Sequence, residues 1–168
     1  LEEMPFSTLD DFNTYAEETA GGLLGLMADV LGVKAEGVRD AIGHAAIAHA
    51  IVGTIRALPF QVQHDVVKAP EGLLAKYELH KQTLLLKKNR PELQALVREL
   101  ADLAEDHLQQ AQRLGRMARR SERPLLLLTI ATEGWLKRFE KNGYDPFDLP
   151  SMQSMPFIRM VRHYLFGF

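Results

Sequence analysis

Asp102, Glu105, Asp106 and His107 stand in one short stretch of this 168-residue chain, and their side chains could ligate a cation or move a proton. Asp102 and Asp106 are four positions apart, so on a helix they share a face, as clamping a hard cation between two carboxylates requires. The same stretch carries an apolar stripe through Leu100, Ala104 and Leu108. That stripe turns Asp102 and Asp106 away from the core and favours a solvated acidic face. His44 and His49 are five apart, which on a helix separates them by more than a quarter turn. Tertiary packing or a polar contact accounts for them better than shared metal ligation. There is no cysteine, hence no disulfide, thiolate metal site or Cys nucleophile. Ser, His and Asp occur without the spacing of a triad or nucleophile elbow, and the glycines form no phosphate-cradling loop.

The elements that must position these residues read as helices almost throughout. Ser7-Thr8-Leu9-Asp10-Asp11 is a helix start, with hydroxyl caps followed by early acids. A first helix is expected from about Leu9 to Leu31, burying Phe12, Tyr15, Ala16, Leu23, Leu26, Met27 and Val30 on one face. Gly21 and Gly22 lie inside it, each at a cost of about 1 kcal/mol against Ala, and either a close backbone approach or a kink would justify them. A second helix is expected over Glu36 to Leu58, apolar nearly all round in its latter half and therefore central. Pro59 ends it, and Phe60 to Pro70 reads as a loop. Glu71 to Leu79 forms a short helix, and Leu84 to Asn89 leads to a break. Pro91 opens a long helix to about Met117 whose inner face is Leu93, Val97, Leu100, Ala104, Leu108, Ala111 and Leu114. A further helix covers Leu125 to Lys141 with Gly143 as its stop. Ser154 and Pro156 begin a last one ending near Phe166.

Apolar residues make up 46% and charged residues 25% of the chain, which suits one globular domain over residues 1–168 and excludes wholesale disorder. The formal charge of −2 argues against a general nucleic-acid binder. Nothing approaches 18 consecutive apolar residues, so no transmembrane helix is expected. The chain begins at Leu1 without an Arg-rich or Ser-rich presequence, which suits a processed protein or a piece of a longer one.

Charge is segregated despite the small net value. Arg113, Arg116, Arg119, Arg120 and Arg123 gather at the end of the long helix. They complement its negative end, or they meet acidic lipid headgroups, RNA or an acidic protein partner. The C-terminal segment interleaves Phe157, Ile158, Val161, Tyr164, Leu165 and Phe166 with Arg159 and Arg162. Such a helix docks on the core, lies in a membrane interface or enters a partner's groove.

Four motifs carry a family likeness. Tyr15-Ala-Glu-Glu-Thr-Ala-Gly21, the helix ending Ile51-Val-Gly-Thr-Ile-Arg-Ala-Leu-Pro-Phe60, Pro70-Glu71-x-Leu73 and Gly143-Tyr-Asp-Pro-Phe147 occur in order from Tyr15 onward. Together they resemble squalene and phytoene synthases, and within that superfamily the mitochondrial complex I assembly factor 6 family. In the synthases the second of these helices ends Arg-Asp-x-x-Glu-Asp, whose aspartates hold Mg²⁺ on a prenyl diphosphate. Here Arg56 is retained, Ala57 and Gln61 replace the aspartates and Phe60 the glutamate. Arg-Ala-x-Pro-aromatic is the form the assembly-factor family shares. The likeness covers only that family's C-terminal part. The upstream acidic motif of the synthases has no counterpart, and the assembly factor's basic run is reduced to His64 and Asp65-Val-Val-Lys68.

The resemblance implies an all-α helical bundle of the isoprenoid (squalene/phytoene) synthase type, truncated at its N-terminal side. It implies no catalytic residues, no metal, no cofactor and no small-molecule substrate, because Mg²⁺ needs hard oxygen ligands that positions 57 and 61 lack. An apolar face that once lined the substrate cavity would be left exposed, and a protein partner would cover it. The implied role is non-catalytic support of mitochondrial complex I assembly, on the matrix side of the inner membrane. Its partners would be protein subunits, with peripheral membrane contact and direct RNA contact both open. Two other roles fit the residues. One is a permanent accessory subunit of a respiratory complex, ATP synthase or mitochondrial ribosome. The other is a residual isoprenoid binder or enzyme.

Overall fold

The structure, a computed structural model, describes residues 6–64, 67–80, 84, 90–149 and 157–167. Among these the regular structure is all helical. It comprises α1 (Leu9–Ala16), a π-helical turn (Glu17–Gly21), α2 (Gly22–Val30), α3 (Glu36–Gln63), α4 (Glu71–Lys76) and α5 (Arg90–Gly115). A 3₁₀ turn (Arg123–Leu126) leads into α6 (Leu128–Lys141), and a second (Pro146–Asp148) precedes α7 (Phe157–Phe166).

The helix α3 is the spine, packed along α5 and crossed by α6. Its buried side runs from Val38 to Val62 and meets Leu93, Leu96, Val97, Leu100, Ala104 and Leu108 of α5. The inner face expected for the long helix is the one that packs, with Leu114 alone only partly covered. By length and composition α3 could cross a membrane, with a mean hydropathy of 1.4 over its most apolar window. Here its apolar length is what the other helices pack around.

Local chemistry sets the start of α1. Thr8 and Asp11 form a reciprocal capping box: the Thr8 N–H donates to Asp11 at 2.9 Å and the Asp11 N–H donates to the Thr8 hydroxyl at 3.1 Å. Two backbone donors are thereby satisfied. The Phe6 ring packs edge-on against Phe12, fixing the entry of the chain.

The first expected helix is one helical rod, but its buried face is not the expected one. Phe12 and Ala16 are buried, whereas Leu23, Leu26, Met27 and Val30 are 63%, 66%, 47% and 86% exposed, and Tyr15 is also exposed. The cause is the π turn. Its wider winding rotates everything downstream by roughly a quarter turn relative to a straight α-helix. Leu24 and Ala28 are brought onto the core instead. A Cβ on Gly21 would meet Ala46 at an ordinary 3.9 Å, and one on Gly22 only a backbone oxygen at 3.9 Å. These glycines therefore accompany a distortion of the helix, not a close approach.

Pro59 does not end α3, and the loop expected from Phe60 begins later. The proline cannot donate to the Ile55 carbonyl, yet the helix continues to Gln63 and closes with the His64 N–H shared between the Phe60 and Gln61 carbonyls. Leu58 and Val62 flank the break and are both buried, so tertiary packing offsets the missing bond. The short helix α4 stops at Lys76, and Lys76 and the Tyr77 hydroxyl both bond Glu99 of α5, at 2.6 and 2.5 Å. The stop at Gly143 is as read: its φ is +69°, and the following Tyr144 N–H returns to the Phe139 carbonyl at 2.7 Å. The start signals Ser154 and Pro156, and the segment after Leu84 to Asn89, lie outside the described residues.

Candidate functional site

Arg56, Ala57, Phe60 and Gln61 occupy the last turns of α3, and the fold separates them. Ala57 and Gln61 face a groove of about 260 Å³ between α1 and α3, walled also by Tyr15, Gly53, Thr54 and Lys68. None of its lining side chains among the described residues is a carboxylate. Gln61 spends its carbonyl oxygen on the Lys68 N–H, at 3.0 Å, bracing the chain that follows the helix. Phe60 is exposed and stacks on His64 with ring centres 3.9 Å apart. Arg56 turns to α6, its guanidinium 4.2 Å from the centre of the buried Trp135 ring, which Arg138 also approaches at 5.2 Å. The residues present do not fit a Mg²⁺ cluster: Ala57 has no donor atom and the Gln61 oxygen is engaged.

The histidines go to different partners. His44 meets His107 of α5, Nδ1 to Nδ1 at 2.9 Å. At that distance one ring must donate and the other accept, so the pair cannot be doubly protonated while it lasts. Burial first, then His44, holds His107 below its ordinary pKa, against the pull of Asp106 and Glu17. His49 contacts the Thr132 hydroxyl of α6 at 3.2 Å, and Thr132 itself lies 3.0 Å from the Leu128 carbonyl. Burial, with Arg56 second, lowers the His49 pKa as well. Both rings act as neutral polar staples between helices.

Asp102 and Asp106 are exposed on α5, as the stripe through Leu100, Ala104 and Leu108 requires. Asp102 and Glu105 join Glu133 and Glu140 of α6 around an open groove of about 300 Å³. Glu133 is drawn off by Arg159 and Lys137: burial pulls its pKa up, but their hydrogen bonds win and hold it below the usual carboxylate range. No group of three or more His, Asp or Glu side chains among the described residues is placed to share a metal ion.

The arginine run and the C-terminal helix, far apart in sequence, are brought together. Arg123 donates to the Tyr164 and Leu165 carbonyls at 3.3 and 3.0 Å, satisfying the free end of α7. Arg120 lies 5.5 Å from the Tyr164 ring, and Arg159 pairs with Glu133. Arg113 bonds Gln110 within α5, and Arg119 meets the buried Glu122. Arg116 and Arg162 are exposed. Phe157 and Phe166 stand 72% and 77% exposed. The pairings of His44 with His107 and of Arg56 with Trp135 had no signal in the sequence, because partners on other helices leave no spacing to count.

Residues 1–162 match the family model described as squalene/phytoene synthase. The chain is 28% identical over 153 residues to the protein named NADH dehydrogenase (ubiquinone) complex I, assembly factor 6 of Mus musculus, and 25% identical to that of Homo sapiens. Both alignments cover 91% of this chain and 46% of the relative, so the chain spans about half the length of the curated relatives it matches. Its fold superposes on squalene synthase HpnC from Alicyclobacillus acidocaldarius with a TM-score of 0.78 at 15% identity, over 87% of this chain and 56% of that one.

Proposed function

This chain belongs to the squalene/phytoene synthase family, and we propose that within it the chain is a non-catalytic member supporting assembly of mitochondrial respiratory complex I. It works through protein–protein contacts on the matrix side of the inner membrane, and needs neither metal nor prenyl substrate. The observation that carries this reading is the groove beside Ala57 and Gln61, which lacks carboxylates where prenyl-diphosphate ionisation needs Mg²⁺ ligands. The names of the relatives supply the process. A fold outlives its chemistry when the site residues change and the core residues do not.

Two measurements test it. Depletion of the protein lowers the amount of finished complex I on native gels, and the re-expressed chain restores it while itself absent from the finished complex. Unchanged complex I on depletion would remove the assembly role. Co-migration at one copy per complex would make the protein a permanent subunit instead. Incubation of the protein with a prenyl diphosphate and Mg²⁺ yields no product; turnover abolished by chelation would overturn the non-catalytic assignment.

A further inference from the structure

The helix α7 is docked with its polar side inward. Only His163 is buried and Met160 half-buried, while Arg159 of the same side pairs with Glu133. On the opposite side Ile158, Val161 and Leu165 share one stripe, 85%, 39% and 40% exposed, flanked by Phe157 and Phe166. A helix folded for this chain's own core would present those faces the other way round. Its attachment to the body is largely polar, through Arg123, Arg120 and Glu133.

Cations meet the C-terminal end of that stripe: Arg123 reaches the Tyr164 and Leu165 carbonyls and Arg120 the Tyr164 ring. Arg116, Arg119 and Arg120 lie on the turn that leads to Arg123, and Arg162 projects from α7 itself. Two acids on the contacting elements are engaged, Glu122 by Arg119 and Glu133 by Arg159 and Lys137, while Asp102, Glu105 and Glu140 line the groove beyond Glu133. A chain of net charge −2 thus sets arginines against the C-terminal end of its exposed aromatic helix.

We propose that α7 and the arginine run of residues 113–123 form one docking surface for an anionic lipid bilayer, with α7 lying flat in the headgroup region. Apolar residues on the outer side of a helix enter the acyl boundary, and arginines beside it pair with lipid phosphates. Charge complementarity selects the bilayer over a neutral protein groove. An RNA partner would use the arginines but leave the apolar stripe uncovered. The proposal rests on the reading that the protein works at the inner membrane, and names the surface that would hold it there.

Co-sedimentation of the full chain with vesicles tests it, using phosphatidylcholine alone or mixed with phosphatidylserine. Binding is expected to the mixed vesicles, to weaken with salt, and to be marginal with phosphatidylcholine. Ile158→Asp changes a side chain that is 85% exposed and lowers partitioning about tenfold or more, as does the pair Arg116→Glu and Arg162→Glu. Circular dichroism checks that each variant is folded. Equal binding to both vesicle types, binding to neither, or wild-type binding by both variants overturns the proposal. So does capture of an RNA or a protein through α7 when vesicles fail to bind. The assay contains no complex I, so its failure leaves the assembly role standing, and unchanged complex I on depletion leaves vesicle binding standing.

Discussion

Arg56 places its guanidinium 4.2 Å from the centre of the Trp135 ring, joining the end of α3 to α6. Its packing role needs no substrate. Arg56→Ala is expected to cost about 0.5–1 kcal/mol, the range for a cation over an aromatic face near the surface. Trp135 is the single tryptophan, so its emission reads the same contact. A denaturation midpoint and an emission spectrum both unmoved by the substitution would show that the contact contributes nothing.

Gly53 sits inside α3 on the wall of the carboxylate-free groove, and a Cβ there would meet nothing within 4 Å. Gly53→Ala should therefore stabilise the protein by up to about 1 kcal/mol through helix propensity. The proposed support of complex I assembly should be unchanged. A stable variant without function would mean that the groove has an occupant after all.

Acid should weaken the core through two histidines. His49 and His107 both have pKa values held below the ordinary 6.5, chiefly by burial. The unfolded chain then takes up their protons first, so stability is intact above pH 6.5 and falls as pH drops through the lowered folded values. Denaturant midpoints measured down to about pH 5 should decline, and His107→Gln should flatten the decline. A profile identical in the variant would remove His107 as a source.

A separate acid effect is expected at α7. His163 is buried, and burial, then Arg123 and Arg159, lowers its pKa. Protonation adds a third positive charge between two arginines. Docking of α7 is therefore complete above pH 6.5 and lost as pH falls through the lowered value. Hydrogen exchange in α7 should accelerate in acid before that of α3. Equal acceleration in both helices would mean global unfolding instead.

Much of the architecture was legible from residue order. The capping box at Thr8 and Asp11, the inner face of α5 and the stop at Gly143 each depend on neighbours within a turn or two, which is the range over which spacing carries information. That positions 57 and 61 carry no carboxylate was legible directly, and the proposed loss of Mg²⁺ binding rests on it. Pro59 misled because its cost of about 3 kcal/mol is local, whereas the burial of Leu58 and Val62 that outweighs it comes from another helix.

Residue order by itself determined that the chain is helical, where most helices begin and end, and that Ala57 and Gln61 supply no carboxylate. The tertiary structure decided which way the helices face. Periodicity sets the angle between two side chains on a helix but not the angle between that helix and the core. One π turn at Glu17–Gly21 was enough to swing Leu23, Leu26, Met27 and Val30 into solvent. The same freedom let α7 dock by His163 and leave Ile158 and Leu165 outward. It also let His44 find His107 across 63 residues of chain.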